Sequence, residues 1–169
     1  MMGSRKVAVI VLSIVALAGS GTAVAKETAA DEASIRGIND AWIKAYNAVD
    51  ADALVALYAE DAVLNPPGAP AARGHAAMRE FIKKDAGAMA ASGTTLSLDP
   101  ARDHGISGDL AWEWGRFKAT DKSGATVDVG KYVTVYRKTN GKWLIIRDIW
   151  NSDQPAAAAA PAAAMPGKK

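Results

Sequence analysis

Regular patterning begins at residue 31, where Ile35, Ile38, Trp42, Ile43, Ala45, Tyr46 and Val49 recur at three- and four-residue spacing and predict an amphipathic helix over 31–49. Asp50-Ala51-Asp52 interrupts that stripe, and 53–58 reads as a short second helix with Asp52 as its N-cap. Residues 62–65 read as a short strand, stopped by Pro66-Pro67-Gly68. Gly74 opens a third helix, with Met78, Phe81, Ile82, Ala86 and Met89 along one side and Ser92-Gly93 at its end. Beyond Gly93 the period changes from helical to alternating. Residues 94–98, 110–119, 126–137 and 142–151 read as strands, joined by turns at 107–109, 121–124 and Asn140-Gly141. Helices first and antiparallel strands afterwards is an α+β pattern.

The last two strands carry the most information. Runs rich in Val, Ile, Tyr and Trp flank Asn140-Gly141, a pair suited to the tight turn of a hairpin because both residues tolerate positive φ. Neighbouring strand residues point to opposite faces, so strict alternation puts Leu144, Ile146, Asp148 and Trp150 on one face and Trp143, Ile145, Arg147, Ile149 and Asn151 on the other. A carboxylate thus stands in an apolar row beside an indole. In the strand before it, Val127, Val129, Val133 and Val135 oppose Asp128, Gly130, Tyr132, Thr134 and Tyr136, so neither face is polar. One face is expected to cover the helices. The other needs its own cover, and a second copy closing as a two-fold dimer through Val129, Val133, Val135, Ile145 and Ile149 is the economical expectation.

The ends differ from this domain. Arg5 and Lys6 precede an apolar run over 7–18, and small residues lead to Ala23-Val24-Ala25, the layout of a secretory signal peptide over 1–25 with cleavage before Lys26. The run is shorter than the roughly 20 residues of a spanning helix, so a periplasmic or secreted protein without a membrane segment after cleavage is expected. Residues 154–169 form an Ala/Pro-rich tail without hydrophobic period, expected to be disordered. This leaves 26–153 as the domain. Without Arg5 and Lys6 the chain carries equal numbers of basic and acidic residues, which removes any charge argument for nucleic acid. There is no Cys, and the two His are far apart, so neither a disulfide framework nor a metal site is expected. No phosphate loop or nucleophile elbow is present, and no cofactor is expected.

Four stretches resemble the NTF2-like superfamily, and within it the SnoaL-like and DUF4440 groups: 58–68 with Glu60-Asp61 and Pro66-Pro67-Gly68, 73–81 opening on Arg73-Gly74-His75, Gly130-Lys131-Tyr132, and 141–153 from Gly141-Lys142-Trp143 to Asp148-Ile149-Trp150. The likeness covers about 31–153. It implies a cone: a curved antiparallel sheet wrapped around three N-terminal helices, with an internal pocket and often a dimeric state. The superfamily includes ketosteroid isomerases, polyketide cyclases, dehydratases, transport factors and association domains, so the fold does not choose an activity. In the isomerase comparison the oxyanion-binding Tyr of the first helix falls at Trp42, and the catalytic Asp before a Pro falls at Asn65. An amide is no general base near neutral pH, which disfavours isomerase chemistry by that route.

Asp148 is the first candidate for acid–base or ligand-anchoring work, since burial would raise its pKa; the alternative is a buried carboxylate paired with an Arg, Lys or Tyr. Tyr132, Thr134 and Asp128 share the expected pocket face with Tyr136, while Tyr46 and Tyr58 approach from the helices. Tyr58 and Tyr136 read as core fillers with their hydroxyls bonded to backbone. Trp42, Trp114 and Trp150 read as pocket walls. Asn65 is either a turn residue or, by the isomerase likeness, a second catalytic candidate. His75 reads as helix-start packing and His104 as turn surface. Three functions stay open: a pocket protein for a small, largely apolar organic molecule; an isomerase, cyclase or dehydratase using Asp148; and a non-catalytic association domain. An open cavity with Asp148 unpaired favours the enzyme, an open cavity with Asp148 neutralised favours binding, and a filled cavity favours association.

Overall fold

A computed structural model describes residues 20–155, with side chains from residue 28 onward. Residues 1–19 of the expected signal peptide and the expected tail after 155 lie outside the described residues. Helix α1 (Ser20–Asn47) starts well before residue 31 and runs through the expected cleavage point. Helix α2 (Ala51–Val55) is capped by Asp50, not Asp52: the Asp50 side chain accepts from the backbone N–H of Ala53. Tyr58, expected on that helix, instead begins strand β1 (Tyr58–Asn65), twice as long as the pattern suggested. The apolar run 53–58 that ends on Tyr58 reads equally well as a helix, because short apolar runs carry no period. Strand β2 (Ala72–Arg73) leads into α3 (Gly74–Ser92), which closes on Gly93 at φ 72°. Strands β3 (Thr95–Leu98), β4 (Asp103–Ser107), β5 (Leu110–Thr120), β6 (Thr126–Thr139) and β7 (Lys142–Ser152) complete the chain. His104, expected in a turn, lies on β4.

The sheet runs β2-β1-β7-β6-β5-β3, with β4 sharing the β5 edge beside β3. Its pairs are antiparallel except β1 with β7, which are parallel. Asn140 and Gly141, at φ 51° and 77°, form the expected two-residue turn between Thr139 and Lys142. The three helices fill the concave side. Their core against the sheet includes Leu54, Val55, Leu64, Met78, Ile82, Tyr136 and Ile145.

One correction governs the site. In the β6–β7 ladder Tyr136 pairs with Ile145 but Val135 pairs with Arg147, so Ile146 is an extra residue and β7 is bulged there. Strict alternation fails at that point. Trp143 and Ile145 before the bulge, and Asp148 and Trp150 after it, all turn to the helix side; Leu144 and Ile146 do not share a row with Asp148. Ile145 is 2% exposed, so it does not belong to the outer row expected to bind a partner. A second bulge, between Ala119–Asp128 and Thr120–Thr126, leaves Val127 unpaired and brings it to the cavity instead of the outer row. Trp114 is also corrected. It alternates with Glu113 on β5 and lies on the outer face beside Trp112, both exposed, where they pair with Val133 and Val135.

Candidate functional site

Between α1, α3 and the concave face lies a cavity of about 280 Å³. Exposed Pro67 and Val127 stand at its rim. Most of its wall is aromatic and aliphatic: Trp42, Phe81, Met89, Leu96, Phe117 and Trp150 among others. Trp42 and Tyr46, one helical turn apart on α1, stack with ring centroids 5.0 Å apart. Phe81 of α3 meets Trp150 of β7 at 6.0 Å in a tilted pair.

The bulge at Ile146 aims Asp148 into this wall. Its carboxylate is buried and accepts from the Tyr58 hydroxyl at 2.7 Å and from Thr134 Oγ1 at 3.3 Å. Trp42 Nε1 in turn donates to the Tyr58 oxygen at 2.8 Å, so indole, phenol and carboxylate form a chain across three elements. The partner is therefore a phenol and not a cation. Burial pushes the Asp148 carboxyl up to about 6, and the hydroxyl donors only partly oppose that shift. Burial also drives the Tyr58 hydroxyl well above its usual value, with the neighbouring carboxylate adding to the effect. It stays a protonated donor.

Asn65 stands at the end of β1 and is not part of the cavity lining among the described residues; its amide donates to the Asp148 backbone carbonyl at 3.2 Å. Tyr132, Thr134, Asp128, Tyr46, Trp42 and Trp150 all line the cavity. Tyr46 donates to Asp85 at 2.6 Å, and Ser152 donates to Asp128 at 2.6 Å. Tyr132 points its hydroxyl to Glu113 at 2.6 Å. That fit depends on Gly115 opposite, where an added Cβ would lie 2.5 Å from the phenol ring and oxygen.

The pattern did not single out four of these polar groups: Glu113, Asn39, Asp85 and Arg102. Buried Glu113 accepts two bonds from the Asn39 amide, at 3.0 and 2.9 Å, and lies 3.9 Å from Arg102. Tyr136 donates to Asn39 Oδ1 at 3.0 Å, not to backbone as expected. The available signal was an interruption: Asn39 breaks the α1 stripe on its apolar side, and Glu113 sits between two Trp on the inward row of β5. His75 Nε2 donates to the Tyr58 backbone carbonyl at 3.0 Å, as helix-start packing would have it.

The sequence profile of the SnoaL-like domain matches residues 40–146. The chain belongs to the SnoaL-like family. The match takes in the stacked Trp42–Tyr46 pair, β1, β6, the hairpin turn and the first half of β7, and stops two residues before Asp148. Solved structures agree on the NTF2-like cone. An NTF2-like protein with a cystatin-like fold from Novosphingobium aromaticivorans superposes with a TM-score of 0.74 at 24% identity, over 87% of this chain and 96% of that one. An NTF2-like protein of unknown function from Pseudomonas putida gives 0.65 at 22% identity, over 72% and 86%. A ketosteroid isomerase-like protein from Erwinia carotovora gives 0.56 at 24%, over 73% and 96%. At these identities the likeness is one of fold. Among functionally curated proteins no sequence match is found.

Proposed function

We propose that this SnoaL-like chain is an exported protein that holds a small, largely apolar organic molecule in its internal cavity. The observation that carries the reading is the cavity itself, about 280 Å³ of mainly aromatic and aliphatic wall with a few polar groups set into it, Asp148 with Tyr58 in its depth and Asp85 and Asp128 elsewhere on the wall. Few converging polar groups in an apolar concavity are what a small-molecule site requires, the walls supplying affinity and the polar groups orientation. An unfilled interior disfavours the pure association domain. Export rests on the sequence of residues 1–25. Native mass spectrometry of protein purified from its own periplasm tests the reading: a retained small molecule, released on denaturation, is expected. Bare protein that also takes up no compound from a panel of small apolar molecules would overturn it.

A second reading is proton transfer within the same cavity, of the isomerase, cyclase or dehydratase kind. It is favoured by one specific feature: among the described residues no cation stands beside Asp148, whose carboxyl group burial raises to about 6, where it both gives and takes protons near neutral pH. Trp42 would then act through Tyr58 and not on a substrate carbonyl, because its N–H is already engaged. We also propose that two copies pair through the outer sheet face, where Trp112, Trp114, Val133 and Ile149 are each between 38% and 51% exposed.

A further inference from the structure

Charge is distributed unevenly inside the cavity. Three carboxylates line it, Asp85 from α3, Asp128 from β6 and Asp148 from β7, whereas none of the described lining residues is Lys, Arg or His. All three accept from hydroxyls: Tyr46 on Asp85, Ser152 on Asp128, and Tyr58 and Thr134 on Asp148. Hydroxyls satisfy lone pairs but carry no compensating charge. Of the cations near the cavity, Arg116 and Lys131 are tied to Asp153 on the outer side of the sheet, Arg102 faces Glu113, and the Lys122 side chain lies over Gly93 beside the lining residue Thr94.

We propose, building on the reading of the cavity as a small-molecule site, that its ligand is a cationic amine: an aromatic or cyclic body carrying one protonated nitrogen. Low-dielectric walls around charges of one sign focus their field and raise the local concentration of the opposite charge. An ammonium group beside Asp148 supplies the positive charge that the fold does not, offsetting the cost of keeping that carboxylate out of water. The faces of Trp42, Phe81 and Trp150 hold the body and add cation–π attraction to the charged end. The same interior penalises a carboxylate ligand, which would bring a fourth negative charge to a site with no basic side chain.

Calorimetric titration of the purified protein at pH 7.5 with 2-phenylethylamine, 2-phenylethanol and phenylacetate separates charge from shape. The amine is expected to bind at least tenfold tighter than the alcohol, with phenylacetate the weakest. In the double variant Asp85→Asn/Asp128→Asn the amine-to-alcohol ratio is expected to fall at least threefold. Equal affinity for amine and alcohol, or a preference for phenylacetate, overturns the amine proposal and leaves the small-molecule reading standing. Failure of all three probes to bind at millimolar concentration overturns the amine proposal, and the small-molecule reading falls with it when the native protein is also bare and the wider panel of apolar molecules also fails to bind.

Discussion

Asp148 is a carboxylate whose ionisation is opposed by burial and supported by hydroxyl and backbone donors alone. Its folded value of about 6 lies above the ordinary 3.8, so it contributes stability that is fully present below pH 4 and is lost as pH rises through 6. Two units correspond to roughly 3 kcal/mol of opposed ionisation at pH 8. Asp148→Asn keeps an acceptor for Tyr58 and removes the charge. Thermal melts of this variant should therefore match or exceed wild type at pH 8, with the advantage gone at pH 4, while amine capture or turnover is lost. A variant less stable than wild type at pH 8 would mean that the charge is compensated after all. The Tyr58 hydroxyl is the complementary probe. Tyr58→Phe removes the donor that holds Asp148 down and orphans the Trp42 N–H, so the Asp148 titration should move upward from 6 and stability fall by about 1–3 kcal/mol. Carboxyl carbon NMR titration reads the first effect and chemical denaturation the second; a downward shift would contradict the assignment.

Among the elements, β7 decides the site, through the extra residue Ile146. Without the bulge, either Trp143 and Ile145 or Asp148 and Trp150 would face away from the helices. Each large apolar side chain turned to water forfeits about 1.5–3 kcal/mol. Deleting Ile146 should abolish cooperative thermal unfolding, whereas Ile146→Ala, which keeps the residue count, should still melt cooperatively. A deletion variant with a wild-type melt would show that the register is free to slip. Here the sequence was least legible. Alternation, turn residues and the Asn140-Gly141 hairpin were plain, but a bulge has no residue signature on a strand apolar on both faces. Tyr58 was misplaced for a similar reason, since its apolar run carries no period to tell helix from strand.

For the molecule as a whole, the outer sheet face and the exported state are the open quantities. Trp112 and Trp114 lie across from Val135 and Val133, and Ile149 adjoins Val133, a contiguous apolar surface. Val133→Lys should convert a dimer into monomers or aggregates in sedimentation velocity; a wild type that sediments as a monomer at micromolar concentration would remove the dimer. Intact mass of the periplasmic form should begin at Lys26. Retention of residues 1–25 there would contradict the signal-peptide reading.

Local chemistry alone determined the order of the three helices and of five of the seven strands, the hairpin turn, the apolar stripes of α1 and α3, and the prominence of Asp148, while the short strands β2 and β4 carried no pattern of their own. Only the tertiary structure decided which face Asp148 takes, that its partner is Tyr58, 90 residues away, and that Asp85 and Asp128 share its cavity with no Lys, Arg or His among the described lining residues. Those outcomes depend on register and on contacts between distant segments. A one-residue shift in a strand reverses every face beyond it, and no local preference reports it.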